Sequence, residues 1–595
     1  MKAAFARAPR DVALVAWCMQ FVVLDAISPR LRSGGAGETM LFWGGSAALA
    51  YFLQSLGRTR VVRALVALLM ATAWVVQAAA LRYYNAPLDR QLVESAMAAW
   101  SDVRPVLLAI ALPLTAGSLL LGALGYAALS YGRRPISRVG SLFSAALGLV
   151  PLFVGARIAT PELRLLDAVR GLHRAEVTRV AAAVQLPLLP SRATRLPSVL
   201  FVLGESVRAS DYCADARPSC PVAPRVNARL PERIALPELR SIASYTAISV
   251  GAVLSGRTQL GTLQELTTAP TVFDFVHAVR AGAERPWVAY YSSQLASIFD
   301  RTDLRTGTDA WVTLEDLLGH PVADEDDVID ERVDRKVVDR FVRDVPTLPR
   351  AAFVVLHVSG THAPYFVDPS MAPYQPWRRE ATWSAMDDLH RAYQNAIYAQ
   401  DAELARAIDA FIGSRHDDPW VVVFTSDHGE SFGEHRAIHH GQNLYDEQTH
   451  VPGYLAFGNG AIPPAEERTL RTAAGGPTTQ LDIVPTILDL YGIWQSSLLG
   501  PYRAKMGGRS LLEDVHLAPR AVPITNCGAS FKCPLDNWGM LGDAHALVGQ
   551  PWDARFHCVA LGGDSSVDVE HAECTRLRDA SRAFFPMLPS GRPNR

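Results

Sequence analysis

Asp427 and His428 follow directly on the apolar run Trp420-Val421-Val422-Val423-Phe424-Thr425-Ser426. A carboxylate beside an imidazole offers one oxygen and one nitrogen donor, a pairing suited to zinc or a similar divalent ion. The β-branched run before them reads as a buried strand of a parallel sheet. Its C-terminal end is where open α/β sheets bind ligands. The pattern recurs at Val199-Leu200-Phe201-Val202-Leu203-Gly204, which ends in Glu205. If the two strands share a sheet edge, Glu205, Asp427 and His428 supply three ligands, and a catalytic zinc site keeps its fourth position open. Taken singly, Asp427-His428-Gly429-Glu430 is an ordinary strand-to-loop turn and Glu205 an ordinary strand-end acid. Glu430 is left without a ligand role.

A nucleophile belongs near such a set, because a metal that coordinates a hydroxyl lowers its pKa and aims it. The stretch from Ser241 to Gly251 offers Ser241, Ser244, Thr246 and Ser249. Residue chemistry alone does not choose among them.

The elements that must carry these groups read as alternating strands and helices. Strands are expected at 198–203, 287–291, 353–358 and 420–425, and helices at 386–412 and 483–491. Such alternation predicts a doubly wound, mostly parallel sheet. The 595-residue chain is too long for one ordinary domain, and its residues 1–158 are far more apolar than the rest. Five segments there, at 12–29, 39–56, 61–82, 106–129 and 137–158, are long enough to cross a bilayer, which takes about 20 residues. The fourth carries no charge from Val106 to Leu129. Arg58, Arg60 and Arg63, and Arg133, Arg134 and Arg138, share one side with Lys2, Arg7 and Arg10. That bias reads as cytoplasmic and places everything after the fifth segment outside. The first segment reads as an uncleaved anchor. Residues 159–196 form a bridge whose arginines between apolar positions suit an amphipathic helix on the membrane surface or an ordinary packed helix.

A net charge of −2 gives no argument for a nucleic-acid partner. Six cysteines, Cys213, Cys220, Cys527, Cys533, Cys558 and Cys574, lie beyond the apolar part. An even count suits disulfides in an oxidising compartment, and pairing of near neighbours gives 213–220, 527–533 and 558–574 as the expectation. A four-cysteine zinc site is the competing reading, and no C-x-x-C pair supports it. Cys220-Pro221-Val222-Ala223-Pro224-Arg225 is superficially like a sulfatase cysteine motif, but its prolines and arginine are misplaced, and a disulfide cysteine is preferred.

In combination these residues resemble the membrane-bound phosphoethanolamine transferases of the alkaline phosphatase/sulfatase superfamily. The resemblance rests on Gly204-Glu205, Thr246-Ala247-Ile248-Ser249-Val250, Gly360-Thr361-His362, Ser426 through Ser431, His440-Gly441, and the segment from Thr479 to Asp489. It implies a five-helix membrane domain at 1–158, a bridge at 159–196, and a sulfatase-like α/β catalytic domain at 197–595 facing the periplasm of a multi-pass inner-membrane protein. It implies Zn2+ held by Glu205, Asp427, His428 and the nucleophile Thr246, and leaves a second zinc open. His362 and His440 take the catalytic and substrate-site histidine roles. Gln294 stands in Tyr290-Tyr291-Ser292-Ser293-Gln294, where the family has an Asn-rich head-group segment, and so becomes a substrate-binding candidate. The flanking disulfide of the family's nucleophile is replaced by Ile242 and Ala252.

The implied reaction moves phosphoethanolamine from a phospholipid, through a phosphothreonine, to lipid A or another envelope lipid or glycan. Phosphoglycerol transfer, phosphate or sulfate ester hydrolysis, and a non-catalytic binding role are the alternatives. Arg208 reads equally as a phosphate-steering or an ion-pairing group. His435 and His439 are balanced between site and core, Glu430 and Glu434 between supporting and solvated. Asn395, Asp401 and Trp538 read as structural.

Overall fold

A computed structural model of the chain describes residues 59–83, 100–131, 138–154, 185–217, 219–261, 265–266, 268–294, 307–322, 332–513, 519–527, 537–550, 555–563 and 571–589, with a few isolated positions besides. Among the described residues, α1 (Arg60–Tyr83), α2 (Trp100–Tyr131) and α3 (Arg138–Val154) come first as continuous helices. They overlie the expected segments 61–82, 106–129 and 137–158. Arg60–Arg82 and Ile110–Tyr131 are the two spans, among the described residues, long and apolar enough to cross a membrane. Val61 and Leu65 on α1, and Leu108, Leu112, Leu119, Leu120 and Leu124 on α2, are exposed. Water penalises that much apolar surface and lipid does not. The expected segments 12–29 and 39–56, and most of the bridge at 159–196, lie outside the described residues.

The larger part is built on a seven-stranded sheet. Its strands are β1 (Ser198–Gly204), β2 (Ile234–Ala235), β3 (Trp287–Ser292), β4 (Ala310–Val312), β5 (Ala352–Val358), β6 (Trp420–Ser426) and β7 (Gly453–Gly458). In space they run β2-β7-β6-β1-β5-β3-β4. The pairs β6–β1, β1–β5, β5–β3 and β3–β4 are parallel, whereas β7 is antiparallel to β6 and to β2. The doubly wound expectation therefore holds, with an antiparallel margin at one side. β1 and β5 are buried at every position, as strands covered on both faces must be.

Side-chain alternation divides the core. Leu200, Val202, Val354, Leu356, Val422 and Phe424 face the helix α5 (Met386–Arg415) through Tyr393, Ile397 and Ile408. Val199, Phe201, Phe353, Val355, Val421 and Val423 face the other layer, which contains α4 (Thr246–Ser255) and α6 (Ile483–Leu490). Each strand thus buries both sets of side chains, at roughly 1.5–3 kcal/mol per large apolar residue.

Four further strands, like β2, β4 and β7, were not legible in the periodicity that located β1, β3, β5 and β6. They form a second, antiparallel sheet: β8 (Val522–Thr525), β9 (Trp538–Leu541), β10 (His545–Gly549) and β11 (His557–Ala560), backed by the helix α7 (Ala572–Phe584). Disulfides join Cys213 to Cys220 and Cys558 to Cys574. Cys527 is also disulfide-bonded, and its expected partner Cys533 lies outside the described residues.

Candidate functional site

β1 and β6 pair with Gly204 opposite Ser426. The next residue on each strand, Glu205 and Asp427, therefore emerges at the same C-terminal edge, with His428 behind Asp427. All three are fully buried, and their ligand atoms lie within 4.8 Å of one another. His428 Nε2 stands 3.4 Å from Glu205 Oε1 and 3.3 Å from Asp427 Oδ2. Gly429 allows the strand end to turn here, because a Cβ on it would sit 2.3 Å from the Glu447 carbonyl oxygen.

Each donor is oriented by a bond made from its other side. Asp427 Oδ1 accepts from the backbone amides of Ser206 at 2.9 Å and His428 at 2.7 Å. Asp427 Oδ2 is buried without a hydrogen-bond partner. His428 Nδ1 lies 2.9 Å from the Gly429 carbonyl. A carbonyl can only accept, so Nδ1 carries a proton, and Nε2 is the nitrogen that faces the carboxylates and that a metal would take. Glu205 Oε2 accepts from the Gln294 amide at 2.5 Å. Burying an ionised carboxylate with an unpaired oxygen costs several kcal/mol, and Asp427 has no arginine or lysine partner among the described residues. A divalent cation among these donors relieves that cost. Two carboxylates and an imidazole suit zinc better than the all-oxygen cations.

The structure separates the four candidate hydroxyls. Ser241 donates to the Ala243 carbonyl, Ser244 to the Asn443 carbonyl and Ser249 back to the Tyr245 carbonyl. Thr246 Oγ1 instead lies 3.1 Å from Glu205 Oε1 and 3.0 Å from His428 Nε2. Thr246 is the first residue of α4, where the helix dipole favours negative charge.

The histidines approach from the other side. The His440 ring centroid is 4.3 Å from that of His428 and 5.4 Å from that of His362. His440 Nδ1 lies 3.3 Å from Glu430 Oε2, and His439 Nδ1 lies 3.7 Å from Glu430 Oε1. Glu430, which the sequence left unassigned, is the carboxylate these two imidazoles share. Burial, reinforced by His428, His362 and His439, pushes His440 well below its ordinary range. Burial and His362 push His439 down to about 4.

Sequence reasoning missed several supports. Gln480 donates to the carbonyls of Ser426 and Asp427 at 2.5 and 2.7 Å, so the Thr479–Asp489 segment clamps the end of β6. Asn526, fully buried, accepts from the Ser244 amide at 2.8 Å and donates to Ser244 Oγ at 2.9 Å and to the Gly441 carbonyl at 2.8 Å. One side chain from the second sheet thus ties the Thr246 loop to the His440 turn. No signal in the sequence marked it. Gln294, expected to hold substrate, is 1% exposed and bonded to Glu205.

Other singled-out residues have structural partners. Arg208 is buried, bonds Asp211 and, at 2.7 Å, Glu434, and lies over Phe432. His435 bonds Glu447 at 3.0 Å and stacks on Tyr445. Asn395 bonds both backbone groups of Tyr374, and Asp401 accepts from the amides of Arg225 and Val226. Trp538 donates to the Met587 carbonyl and stacks on Phe585.

Residues 197–493 match the family model described as Sulfatase. Among curated proteins, the chain is 31% identical over 148 residues to the phosphatidylethanolamine transferase Mcr-2 of Escherichia coli, covering 24% of this chain and 26% of the relative. It is 22% identical over 304 residues to the phosphoethanolamine transferase EptA of Helicobacter pylori, covering 49% of this chain and 53% of the relative. The chain therefore spans about half, or less, of the length of these relatives. Among solved structures, the integral membrane lipooligosaccharide phosphoethanolamine transferase EptA of Neisseria meningitidis superposes with a TM-score of 0.54 at 17% identity, over 84% of this chain and 99% of that one. That likeness is one of fold.

Proposed function

This chain carries a domain of the sulfatase family over residues 197–493, and on that premise we propose that it is a membrane-anchored, metal-dependent transferase moving phosphoethanolamine from a phospholipid to an envelope lipid or glycan. The observation that carries the reading is the position of Thr246 Oγ1, 3.1 Å from Glu205 and 3.0 Å from His428 at the start of α4. Curated relatives named as phosphatidylethanolamine and phosphoethanolamine transferases support the choice of transferred group. Glu205, Asp427, His428 and Thr246 would hold Zn2+. When bound, the ion supplies Lewis acidity that lowers the hydroxyl pKa and offsets charge on the phosphoryl oxygens.

Thr246 Oγ1 forms a bond to phosphorus as the phosphorus–oxygen bond to diacylglycerol breaks. The proton lost by Thr246 ends on the diacylglycerol oxygen. In the second half an acceptor hydroxyl attacks the phosphothreonine, and its proton returns to Thr246. His362 and His440 bind the phosphoryl oxygens and pass these protons, with Glu430 orienting His440. Gln294 orients Glu205 from behind. The donor lies in the bilayer, which gives the apolar helices α1 and α2 their purpose. The multi-pass anchor belongs in the bacterial inner membrane, with the domain at 197–595 in the periplasm.

The test is mass spectrometry of envelope lipids and glycans with and without the protein, beside transfer from labelled phosphatidylethanolamine in vitro. A mass gain matching phosphoethanolamine, lost in Thr246→Ala at equal protein level, is expected. Intact transfer in Thr246→Ala overturns the mechanism. A phosphoglycerol mass gain replaces the donor, and release of a free head group replaces transfer with hydrolysis.

A further inference from the structure

We propose that His545, His571 and Glu573 form a separate divalent-metal site, of the zinc class, that pins the C-terminal helix α7 to the second sheet. Together with the Glu205 set, they are the groups of three or more candidate ligands, among the described residues, whose donor atoms lie within 4.8 Å of one another. None belongs to the site at the β1 and β6 edge.

The three residues come from two elements. His545 opens β10. His571 and Glu573 lie at the start of α7, with His571 at its N-cap and Glu573 in its first turn. The Cys558–Cys574 disulfide holds the residue after Glu573 to β11. The Glu573 carboxylate is aimed by its Oε1, which accepts from the amides of Asp543 at 2.6 Å and Ala544 at 3.2 Å. A Cβ on Gly542 would meet that same oxygen, so the docking needs a glycine there. Arg576 also lies on the Oε1 side, at 3.6 Å. Oε2 is left facing His545 Nδ1 at 2.6 Å. The His571 ring stands 4.4 Å from the His545 ring, centroid to centroid.

A carboxylate fixed through one oxygen, with two imidazoles around the other, has the layout of a ligand set with its outer support in place. Two nitrogens and one oxygen select zinc and its first-row neighbours over calcium or magnesium. The metal takes the place of the proton between His545 and Glu573, and water completes the coordination. His571 gives up a long N-cap contact to the Glu573 amide, at 3.4 Å. His571 is exposed and His545 half-buried, so the site exchanges metal with solvent.

The location gives the site a role. Ala546 and Val548 of β10 pack in one cluster with Ile242, Ala243 and Ile248 around the Thr246 loop. A metal tie at the head of β10 therefore stiffens the sheet on which that loop rests.

The test uses the full chain in detergent, stripped with chelator and titrated with Zn2+ alone. Bound metal is measured by atomic absorption after equilibrium dialysis. Histidine acylation by diethyl pyrocarbonate is mapped by mass spectrometry. Wild type should bind one equivalent more than His571→Ala, and Zn2+ should protect His545 and His571 from acylation. The same difference and protection should persist in an Asp427→Asn background, which separates this site from the proposed catalytic one. Because His571 is exposed, its alanine variant should fold, and the protection measured in wild type does not depend on any variant. Equal stoichiometry in His571→Ala, or acylation of both histidines unchanged by Zn2+, overturns the proposal.

Discussion

Two clusters in this molecule hold nearly the same ligand chemistry, and they are built in opposite ways. Glu205, Asp427 and His428 are fully buried at the ends of central parallel strands. His545, His571 and Glu573 sit at the rim of an antiparallel sheet, one exposed and two half-buried. In the first, Asp427 Oδ2 has no hydrogen-bond partner. In the second, Glu573 Oε2 is already paired with His545. The difference teaches what burial does to a ligand set. A buried carboxylate oxygen that accepts no hydrogen bond is costly, so a metal held there would be linked to folding. At the rim, His545 and the amides of Asp543 and Ala544 satisfy the carboxylate, and a metal would have to displace the proton between His545 and Glu573.

The largest expected effect is at the interior cluster. Asp427→Asn should remove the firmly held metal equivalent and lower transfer on the order of a thousandfold or more, measured by metal analysis and labelled-lipid transfer. Retention of both would erase the contrast. Gln294→Ala leaves every proposed ligand in place but frees Glu205, so metal affinity should fall roughly 10–100-fold, read by competition with a chelator. An unchanged affinity with a raised KM would return Gln294 to the substrate-binding role expected from the sequence.

Asn526→Ala tests how far the second sheet supports the first site. The buried Ser244 amide would lose its acceptor, costing about 1–3 kcal/mol. Thermal melts should show the loss, and kcat should fall more than KM rises. Acid titration comes next. His439 is held at about 4 by burial and His362, against an ordinary 6.5. The unfolded chain therefore binds a proton that the folded one refuses between these values. Its contribution is present above about 6.5 and is lost as pH falls toward about 4. Denaturant melts from pH 7 to 4.5 should show this decline, and His439→Gln should flatten it. The smallest effect belongs to the rim: His571→Ala should leave transfer within about twofold while abolishing, in an Asp427→Asn background, the zinc-dependent rise in melting temperature that remains there.

Legibility in the sequence followed the same division. β1, β3, β5 and β6 were visible because strands buried on both faces read as continuous apolar runs, and the structure extends each by a single residue. β2 and β4 are two and three residues long, too short to show a period. The second sheet is made of four- and five-residue strands and was not seen. Glu205, Asp427 and His428 were singled out because each sits beside a legible strand. Asn526 was not, and Glu430 stays between a supporting and a solvated role in the sequence, because their contacts depend on groups far along the chain or across a turn. Arg208 was left open and proved to be an ion-pairing residue, since nothing local shows that Asp211, Glu434 and Phe432 enclose it.

By itself the sequence determined the ends of β1, β3, β5 and β6, the apolar segments that become α1, α2 and α3, the order of the motifs and the donor types, because these are local properties of residue and period. Tertiary structure alone decided which hydroxyl meets the ligands. Ser241 and Ser249 spend their donors on nearby carbonyls and Ser244 on one distant in sequence, while the start of α4 carries Thr246 to Glu205 and His428. It also decided that Asp427 keeps one oxygen without a hydrogen-bond donor and Glu573 does not. The physical reason is that a side chain's free valence is set by every neighbour packed around it, and those neighbours meet only when the sheet has closed.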